Sequence, residues 1–473
     1  MNAAINTLCK FAASDEDFGR AHDRPSLRKM IPLFLRSSMD EVRLHHAGNV
    51  AREVLDTRGM QDLDHFRQGV LRRELARTIS YQRQRDHSAH TLNNYLLGWY
   101  FFCRVNDIRE EVGRHIDRRS SKGPVRGDHS VQFFADSWVV ASLLHDIGYL
   151  FEGSVESSSP ELQHQHVVLG SAIVDEYFRH NFWAHRKTLS SFERDLVMAQ
   201  TNVHIPELNV RSLSTVADSL RSLGNLERVR EGVLTSRGKH HEKPSTDYLG
   251  VENGLPGDAF ELWRRHYAYF GYDAMAERIR HAANDFENIL SRGLPDVGVR
   301  VLDHGVCSGL LMLQAFTFHA RVVHGWGSSK PSDDKVSQVW KRFEKERSPS
   351  QEGRRPLASH WWESHVWATA ATAVHNLLQS PGLEGEDSNP LELSDDPLAY
   401  LGVLVDCLQD WDRFSIHPTS VFVGTLPLQG RDVGLSCSKG SVRINFGDSR
   451  RKKAVSQELD RALVGWRKFV DFD

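Results

Sequence analysis

No apolar run in this 473-residue chain approaches the roughly 18–20 residues that a membrane-spanning helix needs, so none is expected. Cysteine is scarce. Cys9, Cys103, Cys307, Cys407 and Cys437 are scattered, with no CxxC pair, which argues against a disulfide framework and reads as a reducing compartment. Met1 to Gly19 lack a basic start followed by an apolar run, so no signal peptide is expected and a cytoplasmic, soluble protein is. An excess of one charge is also missing: 59 Lys and Arg face 62 Asp and Glu. That balance gives no global case for nucleic acid or an anionic membrane, while a local basic groove stays open. No internal repeat and no long low-complexity tract is present. What remains, 40% hydrophobic and 26% charged residues, is an ordinary globular composition with enough chain to bury a core.

Most of the chain carries apolar positions at helical spacing, as in Val42, Ala47, Val50 and Val54. Apolar segments follow at 92–105 and 131–150, separated by the Gly-, Ser- and Arg-containing loop 118–130. From about 205 to 295 the chain turns polar and rich in turn residues. A compact apolar stretch at 305–323 follows, then a polar linker, then helical patterns at 361–379 and 398–411. Near the end, Val421–Val423, Val433–Cys437 and Val442–Phe446 read as short strand-like runs, the last two separated by the turn Ser438-Lys439-Gly440-Ser441, with an amphipathic helix at 452–470. The expected fold is mainly α with a small C-terminal ββα appendage. The expected divisions are an N-terminal helical segment at 1–80, a helical core at 81–200 and 296–415, an insertion or lid at 201–295, and the appendage at 416–473.

Histidine is abundant at 25 residues, and that abundance makes chance motifs common. The two His-Asp dipeptides, His22-Asp23 and His145-Asp146, are no more than the His and Asp content yields by chance, so context must separate them. His22-Asp23 sits in a polar, Arg-containing stretch and reads as surface. His145-Asp146 closes the apolar run Trp138-Val139-Val140-Ala141-Ser142-Leu143-Leu144 and precedes Ile147-Gly148-Tyr149-Leu150. A carboxylate and an imidazole at the end of a buried helix must be paired or metal-bound to offset desolvation. Gly148 allows the backbone to turn there.

Leu143-Leu144-His145-Asp146-Ile147-Gly148 resembles the signature of the HD-domain superfamily of metal-dependent phosphohydrolases. The resemblance implies an all-α core whose metal ligands are an upstream His, the His-Asp pair and a distant Asp, with further His ligands in many members. His90, in His87-Ser88-Ala89-His90-Thr91, fits the upstream ligand best, with His87 as its competitor. Asp406 interrupts the apolar run before Cys407 and fits the terminal Asp better than Asp410 or Asp412. His304, in Asp303-His304-Gly305, and His375, after Ala370-Ala371-Thr372-Ala373-Val374, resemble the auxiliary elements; His166 rivals His304. His365 and the His240-His241 pair read more readily as a core histidine and a surface pair. Tyr149 departs from the pattern, since many members carry Lys there. The spacing from Asp146 to His304 is long, which an insertion explains.

The resemblance implies one or two divalent transition ions (Mn, Fe, Zn, Ni or Co), because imidazole and carboxylate suit these better than Ca. It also implies catalytic roles for His145 and Asp146 in hydrolysis of a nucleotide-like phosphoester by activated water. Arg85 and Lys239 are candidate phosphate cations. A nuclease is the second reading, from the basic run Arg450-Arg451-Lys452-Lys453 and from Arg347, Arg354 and Arg355. A non-catalytic metal and nucleotide sensor or assembly module is the third, favoured by Tyr149. A membrane partner is not expected, and self-association stays open.

Overall fold

A computed structural model describes residues 2–22, 24–37, 40–58, 60, 63–78, 87–119, 127–150, 258–291, 303–313, 315–316, 358–376, 390–409, 411, 430–438 and 440–473. These are mostly helical, with one small sheet. No helix among them is long and apolar enough to cross a membrane. The chain divides into two compact units. The first holds Met1–Leu150, Asp303–Gly309 and Ala368–Asp473, and the second Phe151–Leu302 and Leu310–Trp367.

The first unit opens with strand β1 (Asn2–Ala3) and helices α1 (Ala4–Ser14), α2 (Glu16–Ala21), α3 (Pro25–Arg36), α4 (Asp40–Thr57) and α5 (Asp64–Thr78). Their limits follow ordinary start signals. Asp15 caps α2 by accepting from the Phe18 amide at 3.0 Å, and Pro25 takes the first position of α3, where its missing amide costs nothing. Ala47, Val50 and Val54 face inward on α4 as their spacing requires, while Val42 is exposed.

Helices α6 (His87–Arg104), α7 (Asn106–Arg119) and α8 (Gly127–Leu143) form the centre of this unit. Every residue from Ser88 to Phe102 is buried. A helix covered all round is a core element rather than a surface one. Its α8 contact is aromatic: Phe102 stacks on Phe134 at 3.8 Å, Trp99 meets Phe134 edge-on at 5.0 Å, and the Trp138 indole donates to Tyr95 O at 3.0 Å. Helix α8 ends at Leu143, and His145-Asp146 then leads into a short 3-10 turn, Ile147–Leu150.

His22 departs from its expected surface position. It is buried, stacks on Phe18 at 4.1 Å, and bonds Phe18 O through Nδ1 at 2.7 Å and the Tyr95 hydroxyl through Nε2. Burial, with the nearby Arg58 charge, pushes its pKa down to about 3, so it stays neutral. Local polarity misleads here because Arg58 arrives from α4's end. Its guanidinium bonds Ala21 O, Gln132 Oε1 and Asp136 Oδ1, closing the α2 terminus against α8.

A helical stretch at 304–313 and helix α11 (Ala358–His375) contribute residues 304–309 and 368–375 to this unit. Helix α12 (Pro397–Leu408) follows. Buried Asp396 caps it, accepting from the Leu398 and Ala399 amides, and Pro397 takes its first position.

The C-terminal residues form β2 (Gly434–Ser438), β3 (Ser441–Asn445), α13 (Ser449–Ala462) and β4 (Val470–Phe472). The sheet order is β1-β2-β3-β4. β2 and β3 are antiparallel across a turn at Gly440, whose φ of +82° suits glycine. β1 adds antiparallel to β2, and β4 adds parallel to β3. The expected run Val421–Val423 lies outside the described residues, and two differences from the sequence expectation follow. The sheet recruits the N-terminal Asn2 and Ala3, and the helix stops at Ala462 rather than running on to 470. Leu463 leaves the helix because its neighbours bond elsewhere: Leu391 N donates to Ala462 O at 2.8 Å and Val464 N to Leu391 O at 3.0 Å. Leu391 and Leu463 are both buried there.

In the second unit, α9 (Ala259–Tyr269) and α10 (Asp273–Ser291) form a helical hairpin within the segment read as an insertion. It buries Trp263, Tyr267, Met275 and Ile279, with Phe260 and Phe286 in contact at 5.6 Å.

Candidate metal centre

Separate elements of the first unit deliver the candidate ligands. His90 lies in the first turn of α6, and His145-Asp146 follows the end of α8. His304 heads the stretch 304–313, His375 ends α11, and Asp406 lies in the last turn of α12. Two groups of three converge, each offering ligand atoms within 4.8 Å of one another: His90 with His145 and Asp146, and Asp146 with His304 and His375. Asp146 belongs to both. Asp406 adjoins the first group, with Oδ1 2.6 Å from His90 Nε2 and 3.7 Å from His145 Nε2. All six residues named from the sequence therefore come together. All but Asp406 are buried.

The hydrogen bonding sets which nitrogen faces inward. His145 Nδ1 lies 2.7 Å from Ser142 O and His375 Nδ1 2.5 Å from Thr372 O. A carbonyl oxygen only accepts, so each Nδ1 carries a proton and Nε2 is the nitrogen each ring turns to the centre. His145 Nε2 is buried without a hydrogen-bond partner, 3.2 Å from Asp146 Oδ1. A lone pair facing carboxylate oxygens in a buried site is repulsive unless a cation or a proton lies between them. The donor set of imidazole nitrogens and carboxylate oxygens fits a divalent transition ion in that place.

The ionisation pattern agrees. Burial disfavours charge on His145, but Asp146 and Asp406 outweigh it and raise its pKa to about 9. Burial pushes the Asp146 carboxyl up, but the charge of His145 beside it prevails and holds it below the ordinary carboxylate range. His87, His90 and His304 add to this. Asp406 is likewise held well below that range, burial being overridden by His145 and His90. His304 is pushed well below its usual value by burial and His375, and His375 is lowered by burial and His145. Without a metal, the centre thus keeps a proton on His145 and leaves His304 and His375 neutral.

This asymmetry predicts a measurable linkage. At pH 7 a cation that ligates His145 must displace its proton, whereas His304 and His375 have none to lose. Metal binding at pH 7 is expected to release at least one proton per chain, that of His145, with His90 Nε2 giving up the proton it shares with Asp406, and affinity to rise with pH toward His145's value of about 9. Calorimetric titration of Zn2+ in buffers of different ionisation enthalpy counts the protons. Zero release at pH 7 would contradict this assignment.

The remaining contacts tie the ligands to their neighbours. Asn94, one helical turn after His90, donates to Asp406 Oδ1 at 3.1 Å and lies 3.1 Å from His90 Nε2. Asn376 donates to Asp303 Oδ2 at 2.7 Å and contacts His304 Nδ1 at 3.4 Å. Gly148 N donates to the Ser308 hydroxyl at 2.6 Å. The Tyr149 ring lies against both His87, at 4.1 Å, and His304, stacked at 4.0 Å. Sequence reasoning missed Asn94, Asn376, Ser308 and Gln409. Asn94 was findable, because four residues after a ligand returns to the same helix face.

His87 belongs to neither group of three. His365 is buried in the second unit against Phe316, as a core histidine would be. His166, the His240-His241 pair, Arg85, Lys239, Arg347, Arg354, Arg355, Asp410 and Asp412 lie outside the described residues. No family model, curated protein or solved structure matches the chain.

Proposed function

We propose that this chain is an HD-type metal-dependent phosphohydrolase or phosphodiesterase that hydrolyses a phosphoester of a nucleotide-like substrate. The observation that carries the reading is the pair of His/Asp groups sharing Asp146, with the orphaned Nε2 of His145 between carboxylates. His90, His145, Asp146 and Asp406 would hold one divalent ion, and Asp146, His304 and His375 a second. Bound there, such ions supply Lewis acidity toward phosphoryl oxygens and make water nucleophilic near neutral pH. The chain's own part is to orient the donors. Ser142 O and Thr372 O fix the rings of His145 and His375, and Asn94 steadies Asp406.

The test is a panel of nucleotide and cyclic-nucleotide phosphoesters, assayed with metal-loaded protein and with chelator-stripped protein. Hydrolysis should vanish on stripping and return with Mn2+ or another first-row ion. Undiminished hydrolysis after complete stripping would sink the reading. One observation favours a non-catalytic sensor instead: the residue after Gly148 is an aromatic ring packed on two histidines, not a cation for phosphate. Metal and nucleotide binding without turnover across the panel is the signature of that alternative.

A further inference from the structure

Three histidines of the centre share one wiring, with Nδ1 on an oxygen and Nε2 turned inward, but they obtain that oxygen differently. His145 stands just past the C-terminal end of α8 and His375 is the last residue of α11, where the last carbonyls have no intrahelical partner. Ser142 O and Thr372 O, each three residues back, are therefore available to them. His90 stands in the first turn of α6, where carbonyls are taken up by the helix that follows. Its Nδ1 instead meets the side-chain oxygen of Gln409.

Gln409 is fully buried at the end of α12, three residues after Asp406, and its amide N–H bonds Val405 O at 2.9 Å. Its side-chain nitrogen donates to Trp411 O. Because that carbonyl only accepts, the Gln409 amide is oriented one way, nitrogen to Trp411 and oxygen to His90. The oxygen also only accepts, so His90 Nδ1 carries a proton, and Nε2, hydrogen-bonded to Asp406 Oδ1 at 2.6 Å, is the nitrogen left facing the centre for a metal to take. From this wiring we infer that Gln409 is a positioning residue that sets His90 as an Nε2 metal ligand. The inference rests on the metal-centre reading. Among the three acceptors it is the one supplied by a side chain, so substitution can remove it without touching a ligand.

The test compares Gln409→Met, which keeps volume and removes the acceptor, with Gln409→Glu, which keeps an oxygen at the same reach. Zn2+ affinity is measured by competition with a chromophoric chelator on folded protein. Loss of an outer-shell partner costs on the order of 10–100-fold in metal affinity, and that loss is expected for Gln409→Met. Gln409→Glu should recover most of it, although it forfeits the bond to Trp411 O and some thermal stability. Wild-type affinity in Gln409→Met, or equal losses in the two variants, overturns the proposal and leaves the metal centre standing. No Zn2+ binding by the wild-type chain overturns both. Should Gln409→Met fail to fold, Gln409→Asn, which draws the acceptor back by one methylene, replaces it with the same expected split from Gln409→Glu.

Discussion

Asp146→Ala is expected to remove metal binding at both groups of ligands at once. Asp146 is the residue they share, and its Oδ1 lies 3.2 Å from His145 Nε2 and 3.6 Å from His304 Nε2. Loss of affinity should exceed the roughly 100-fold that an outer-shell change can cost, because a ligand itself is gone. Any hydrolytic activity should fall to background. The metal-free protein should also suffer, since the buried His145 imidazolium loses its nearest carboxylate. Breaking a buried ion pair costs about 3–5 kcal/mol. Asp406, 3.7 Å from His145 Nε2, should soften that cost. The contrasting variant is His375→Ala, which touches one group and should lower the bound-metal count while leaving the other ion in place. Elemental analysis of dialysed proteins, with thermal melts of the stripped forms, reads both effects. Wild-type metal content in Asp146→Ala would remove the shared-ligand arrangement.

Of the candidate ligands, His145-Asp146, His375 and Asp406 were legible because they end or interrupt apolar runs, while His90 and His304 rest on the family resemblance. A carboxylate at Asp406 or an imidazole at His375 inside a buried helix demands a partner, and desolvation makes that demand visible in one dimension. The partners were not legible for the same physical reason in reverse. Gln409 and Asn376 sit at helix ends, where polar residues are ordinary, and their role comes from chain segments 319 and 72 residues away in sequence. His22 shows the limit of local polarity as a guide. Its flanking residues look solvated, yet Arg58 and Tyr95 arrive from other helices to enclose it. The C-terminal sheet was half legible: the β2–β3 hairpin follows from alternation around Gly440, but β1 and β4 are too short to carry a pattern.

Gly148 lies in the 3-10 turn Ile147–Leu150, where the backbone is expected to turn, and the structure gives it a second task. Its φ is not among the positive values found at Gly271, Gly440, Gly447 and Gly465. It is needed because the 3-10 turn passes against the head of the stretch 304–313. A Cβ at 148 would stand 1.9 Å from His304 O and 2.7 Å from Ser308 N. Both are backbone atoms, so no rotamer change relieves the overlap, and His304 must move with them. Gly148→Ala is therefore expected to cost about 3 kcal/mol or more, at or beyond the upper end of ordinary overpacking. The displacement should pull His304 from Asp146 and weaken the second ion's site more than the first, because His90 and His145 lie on other elements. Gly113→Ala is the control. On α7 nothing lies within 4 Å of its added Cβ, so it should be neutral or stabilise by about 0.5–1 kcal/mol through helix propensity. Denaturant melts with metal counts on both variants separate packing from ligation. A Gly148→Ala protein as stable as wild type, with full metal content, would mean that the turn and the His304 element do not approach each other as described.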